Sequence, residues 1–268
     1  MSREIPELQN KKSPNFYIQR TAQEQRELIS ELIKLSLYFS SEYQKQHPKE
    51  NISAVIINQT SMWEIIGLRG TAEESFFTYG LSELYEKTAS SVEFETEGLT
   101  QLLPYMDTFT IQNIEWEKKV LTKYHDSCFR YDHPKGECPS NHCNFHITNY
   151  IAPKSILREN EYTIDCFLRL MYETEKKFGF NILRTGTWLN SVPQWLKFFP
   201  EEWISNMEES VIKIHGSLGF WGQIITARKT FNFKTGNYIR THLELPFKNK
   251  TAWCSFKAMK KHLEKFSP

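Results

Sequence analysis

The chain has no apolar run approaching the roughly 18–20 residues that span a bilayer. Its opening residues, MSREIPELQNKKSP, lack the apolar core of a secretory signal. Together these absences lead to the expectation of a cytoplasmic protein without a membrane partner. Charge of one sign is also missing: 33 basic side chains meet 32 acidic ones, for a net charge of +1. That balance offers no electrostatic footprint for nucleic acid. Cysteine is scarce, five in 268 residues. In a reducing compartment these are free thiols, core residues or metal ligands rather than a disulfide frame. The sequence has no P-loop and no G-x-G-x-x-G, so phosphate or dinucleotide binding by those devices is not expected. Neither a G-x-S-x-G elbow nor an H-E-x-x-H is present, which removes the usual signatures of serine hydrolases and zincins. There is no internal repeat and no low-complexity segment.

What the chain does have is an ordinary globular composition, 40% hydrophobic and 24% charged, with aromatics raised to 14%. Phe, Tyr and Trp bury much area per residue, and those left at the surface often line clefts. Residues 1–15 are polar and broken by Pro6 and Pro14, and are expected to form a flexible tail. Residues 16–268 are expected to form one α/β domain. It is helix-rich, with a small, mostly parallel sheet and a mainly helical N-terminal layer reaching about residue 110. The alternative class is α+β.

Several segments carry their own signals. Thr21 and Glu24 fit a capping box, and Leu28, Ile29, Leu32 and Ile33 follow at helical spacing, predicting a helix over 22–45. Ile52–Ile57 is a compact β-branched run and reads as a buried strand. Thr71 and Glu74 open a second helix. Residues 91–110, holding Gly98 and Pro104, read as loop. A third helix is expected over 111–129. Asn144–Ile151 alternates apolar and polar side chains and predicts a strand. Tyr162–Phe178 predicts a helix stopped by Gly179, and Asn181–Arg184 a further strand. Strand, helix of about sixteen residues and strand have the proportions of a parallel crossover. Val211–Ile214 reads as a strand, Gly236-Asn237 as a turn, and Ser255 as the cap of a last helix.

The richest stretch is His125–Tyr150, which holds four of the eight histidines and three of the five cysteines. Cys138, His142, Cys143 and His146 are N and S donors of the kind zinc takes, at short spacing, although no standard finger has this pattern. On a single strand His142 and His146 would share a face about 13 Å apart, too far for one ion without a turn. The structural alternative is a solvated loop followed by one buried histidine. His146 is also the leading acid/base candidate, because imidazole titrates near neutrality. His215, beside glycines, is the second. Ligands in parallel sheets bind beyond the carboxyl ends of strands. The polar clusters at 58–60, 148–150 and 185–187 would share that edge. Asn149, Trp188, Asn190, Trp221 and Gln223 are therefore the candidate substrate-binding residues, as stacking walls and amide tips. Each has a structural alternative as a core tryptophan or turn amide. Arg228 and Arg240 are candidate anion clamps, with ion pairing as the alternative.

Two functional readings follow. One is a cytoplasmic enzyme acting on a small polar molecule by His-centred acid/base or metal-assisted chemistry, proton transfer or hydrolysis. The other is a non-enzymatic binding protein with a structural zinc in 125–146. They differ in the environment of His146: a cleft for the first, a closed four-ligand shell for the second.

Overall fold

The computed structural model describes residues 20–124, 127–132 and 139–266. The expected tail lies outside them. Helix α1 (Ala22–Gln46) begins with the capping box: Glu24 N–H donates to Thr21 Oγ1 at 3.1 Å and Thr21 N–H donates to Glu24 Oε2 at 2.8 Å. Its apolar stripe is fully buried, and α1 forms the axis of an N-terminal helical layer. The β-branched run does not make a strand. It is helix α2 (Ile52–Gln59), started by Asn51, whose side chain accepts the Ser53 N–H. Ile52, Val55 and Ile56 fall on one helical face and pack against α1, so tertiary burial overrides β propensity. After α3 (Met62–Ile66) comes α4 (Ala72–Tyr85), capped by Thr71 as predicted.

Residues 91–110 are helical too, against the expectation of loop. Helix α5 (Ser91–Leu102) is capped by Ser90 and packs closely on α1. Gly98 is what allows this approach: a Cβ there would stand 2.6 Å from Leu37 Cδ1. Pro104 sits in a short 3₁₀ turn leading into α6 (Met106–Thr122), which starts earlier and stops sooner than predicted.

The sheet follows. Its strands are β1 (Phe129–Asp132), β2 (His142–Ile147), β3 (Ile182–Thr187), β4 (Glu208–Glu209) and β5 (Lys250–Ser255), in the order β1-β2-β3-β5-β4. The predicted crossover is present: β2 and β3 are parallel, joined through α7 (Asn160–Phe178). Gly179 ends α7 at φ 72°, where a residue with a Cβ is disfavoured. The other three pairings are antiparallel, so the sheet is mixed rather than mostly parallel. Strand β5 supplies the antiparallel partner of β3, at a place where the sequence pattern predicts no strand. Residues 211–214 form no strand, and Val211 is 98% exposed. Gly236-Asn237 lies inside helix α11 (Phe233–His242), capped by Asn232.

Cys143, Phe145, Leu183, Ala252 and Cys254 point to one face of the sheet. There they join α7, α8 (Pro193–Leu196), α9 (Glu201–Ser205) and α12 (Phe256–Leu263) in one aromatic-rich core. The second core belongs to the N-terminal helices. It also recruits Phe220 and Trp221 of α10 (Leu218–Trp221), with Ile224, Phe231 and Ile239. The chain thus leaves the helical layer after α6, builds four strands, returns to the first core, and comes back to add β5. No helix among the described residues is long and apolar enough to cross a membrane.

Candidate functional site

Where the two cores meet, a cleft of about 680 Å³ opens beyond the carboxyl ends of β2 and β3. Residues 146–149 and 185–189 form its floor. The segment around α10 and the turn 225–229 form one wall; Glu64 and the last turns of α6 form another.

Two strands arrange the chemistry. In β2, Cys143 and Phe145 face the core, so His142, Asn144 and His146 face the other way. In β1, Arg130 is the direct cross-strand partner of His146, and Asp132 is the partner of Asn144 on the same face. Asp132 reaches diagonally, and its Oδ2 lies 2.7 Å from His146 Nε2. Arg130 Nη1 donates to the other carboxylate oxygen at 2.5 Å, and its guanidinium stands 5.7 Å from the ring centre of Tyr124.

This geometry fixes the tautomer. A carboxylate only accepts, so Nε2 carries the proton and Nδ1 keeps its lone pair. Burial lowers the His146 pKa, and the facing Arg130 lowers it further; Asp132 opposes both without overcoming them. The imidazole is therefore neutral at pH 7, with Nδ1 as a basic nitrogen. Burial raises the Asp132 carboxyl, but His146 and Arg130 together outweigh that and hold it below its usual range. At pH 7, where the imidazole is neutral, Arg130 and the Nε2–H bond still favour the ionised Asp132 carboxylate. Glu64, on the facing wall, is pushed up by burial, with Arg69 and the Leu218 N–H pulling the other way.

Of the residues the sequence singled out, His146, Asn149 and Trp188 line this cleft. Asn149 is occupied as a clamp. Its Nδ2 donates to the carbonyls of Lys154 (2.8 Å) and Ala227 (3.0 Å), and its Oδ1 accepts Ile156 N–H at 3.3 Å. It ties the 225–229 turn to the end of β2. Trp188 is half-buried and stacks with Phe247, ring centres 5.9 Å apart. Asn190, Trp221 and Gln223 are buried and spend their polar groups on structure. Asn190 serves two indoles and two carbonyls. Trp221 Nε1 donates to the Gln59 carbonyl at 2.8 Å, and Gln223 bridges Phe220 and Phe247. His215 and Arg228 are exposed and do not line the cleft. Arg240 is bound bidentately by Glu95 at 2.6 and 2.7 Å. Cys254 is buried and its thiol is pushed up, the opposite of what a nucleophile needs.

The three candidate zinc ligands among the described residues, His142, Cys143 and His146, do not converge. Cys138 lies outside the described residues. Strand alternation turns Cys143 into the core, away from His142 and His146. Among the described residues no three His, Cys, Asp or Glu side chains group as a metal site.

Sequence reasoning misses Arg130 and Asp132, because the helical spacing over 111–129 runs into the start of β1. The signal was present: Arg130-Tyr131-Asp132 alternates, so its two charged residues share a face. Comparison with known proteins found no matching family model, and no curated protein or solved structure matches the chain.

Proposed function

We propose that this chain is an enzyme for a small polar molecule, bound in the cleft, with His146 as general base and Asp132 as its positioning partner. The observation that carries this reading is the 2.7 Å contact to Asp132 from Nε2 of His146 on the cleft floor. It leaves Nδ1 unprotonated and free to take a proton, while Arg130 holds the carboxylate from behind. The lowered His146 pKa favours the basic form at neutral pH. The step assigned to His146 is removal of a proton from substrate or from a substrate-directed water. Aromatic surface from Trp188 and Trp116 supplies the apolar part of the binding area.

The test is substrate discovery with a built-in control. Wild type, His146→Gln and Asp132→Asn are incubated separately with a small-metabolite extract, and consumed and produced species are followed by mass spectrometry. A conversion made by wild type should fall by about 10²–10⁴-fold in His146→Gln, the usual contribution of a general base. Asp132→Asn should fall less, since it disturbs tautomer and orientation only. A conversion that persists in His146→Gln would sink the assignment.

A further inference from the structure

We propose that Lys229 anchors an anionic group, a carboxylate or phosphate, on the molecule that occupies this cleft. The inference rests on the cleft being the binding site proposed above.

The turn that carries Lys229 is tightly defined. Thr226 N–H donates to the Thr230 carbonyl at 2.9 Å, and the two threonine hydroxyls lie 2.8 Å apart. Lys229 N–H donates to the Thr226 carbonyl at 2.9 Å, while Arg20 Nη1 donates to the Lys229 carbonyl at 2.5 Å. Asn149 holds the Ala227 carbonyl of the same turn. Ile225 and Phe231 bridge at its base, so the segment is a small hairpin closed by three residues. The last of them, Lys229, has φ 63°. Such loops call for glycine or asparagine there, because a Cβ is disfavoured in the left-handed region. A lysine in this place is unexplained by the turn itself, and strained positions of this kind concentrate where a side chain has work to do.

The side chain is equally unexplained by its surroundings. Lys229 lines the cleft, and among the described residues its ammonium has no hydrogen bond and no ion pair. The nearest carboxylate to influence it, Glu117, is already paired with Arg20. Burial holds the ammonium below the usual lysine range, with Glu117 opposing and Arg20 adding to the effect. Lys229 is half-buried, and an ammonium withdrawn even partly from water is normally paired. Of the other charged residues lining the cleft, Arg130 is held by Asp132, and Lys123 stands against Glu64. An anion arriving from outside would satisfy Lys229 without displacing any existing partner. Inside a partly desolvated cleft that pairing is worth more than at the surface.

Binding of inorganic phosphate and of succinate is measured by calorimetry at low ionic strength, in wild type, Lys229→Gly, Lys229→Asn and His146→Gln. Glycine and asparagine suit the left-handed backbone, so both Lys229 variants should melt at or above the wild-type temperature. Loss of binding in them is then not loss of fold. Wild type should bind at least one of the two anions. Both Lys229 variants should bind it at least about tenfold more weakly, and His146→Gln should keep wild-type binding. If neither anion binds wild type, or if the Lys229 variants bind as wild type does, the anchor is refuted. Lys229-dependent anion binding in a protein with no His146-dependent turnover would uphold the anchor and remove the acid/base reading alone.

Discussion

Arg130 and His146 are direct partners across the antiparallel β1–β2 ladder, so a permanent cation faces a titratable ring on one side of the sheet. Asp132 reaches both of them and binds one with each carboxylate oxygen. Three side chains thus set the protonation of one nitrogen.

Replacing Arg130 by Met should raise the His146 pKa, because a depressing charge is removed; Asp132→Asn should lower it further, because a supporting one is lost. Imidazole proton shifts against pH measure both. The sign for stability follows. His146 titrates below 6.5 when folded, so just below that value the unfolded chain binds more protons. Stability falls as pH drops from 6.5 towards the folded value, and His146→Gln should flatten that slope. Asp132 adds a second acid loss: its contribution is present above 3.8 and disappears as pH falls through its lower folded value.

Asn190 should be the most costly polar residue to remove. It is fully buried, accepts Trp195 Nε1–H (3.2 Å) and Trp203 Nε1–H (3.3 Å), and donates to the carbonyls of Thr185 and Lys250. Asn190→Ala strands two indole donors and weakens two carbonyls. A loss of about 3 kcal/mol or more is expected in denaturant unfolding.

Cys128 and Cys166 form a buried thiol pair beneath Arg169. The Cys128 thiol bonds Cys166 and, with the Cys128 N–H at 3.5 Å and Arg169 at 3.6 Å, brings the Cys166 thiol down to about 6; burial pushes Cys128 up. Ultraviolet thiolate absorbance should show one group ionising near that value. Cys166→Ser should abolish it and Cys128→Ala should move it up. A depressed acid of this kind stabilises fully above 9.0, and the gain is lost as pH falls to about 6.

Gly216→Ala should damage the fold and the cleft together. The Gly216 N–H donates to the Asn58 carbonyl at 2.6 Å. A Cβ there would stand 2.2 Å from the Thr60 carbonyl oxygen and 3.0 Å from that of Ile57. Both obstacles are backbone, so the segment leading into α10 must move. A cost of about 2–3 kcal/mol is expected, read by denaturant unfolding. Any ligand of the cleft should also bind less well, since α10 forms its wall.

Much of the fold was legible where local signals and burial agree. Thr21-Glu24, Thr71 and Ser255 mark helix starts, and Gly179 marks a helix end, because each satisfies backbone groups that nothing else reaches. The parallel crossover 144–187 followed from a strand pattern, a helix stripe ended by Gly179 and the length between the strands, and His146 sits at its edge. The failures are those of long-range packing. Ile52–Ile57 has strand-forming side chains but folds as helix because α1 offers it a helical groove. Gly98 and Gly236 look like breakers, yet each lets a neighbour approach: Leu37 in one case, the Phe231 ring in the other. Asn190, Trp221 and Gln223 resemble binding residues because buried hydrogen-bonding knots and ligand sites use the same side chains. Lys229 carries no local signal, since its backbone conformation and lack of a partner exist only in three dimensions.

Strand β5 is interior in the sheet and follows all four other strands along the chain. Until residues 250–255 leave the ribosome, β3 presents an open edge, the Asn190 knot lacks the Lys250 carbonyl, and Glu202 has no Ser255 to bind. Synthesis of this protein therefore passes through a long interval in which the N-terminal helices can be settled while the sheet is unfinished. Exposed edges of that kind attract other nascent chains. A stop codon a few residues before 250 would leave β3 without its partner and that interval permanent.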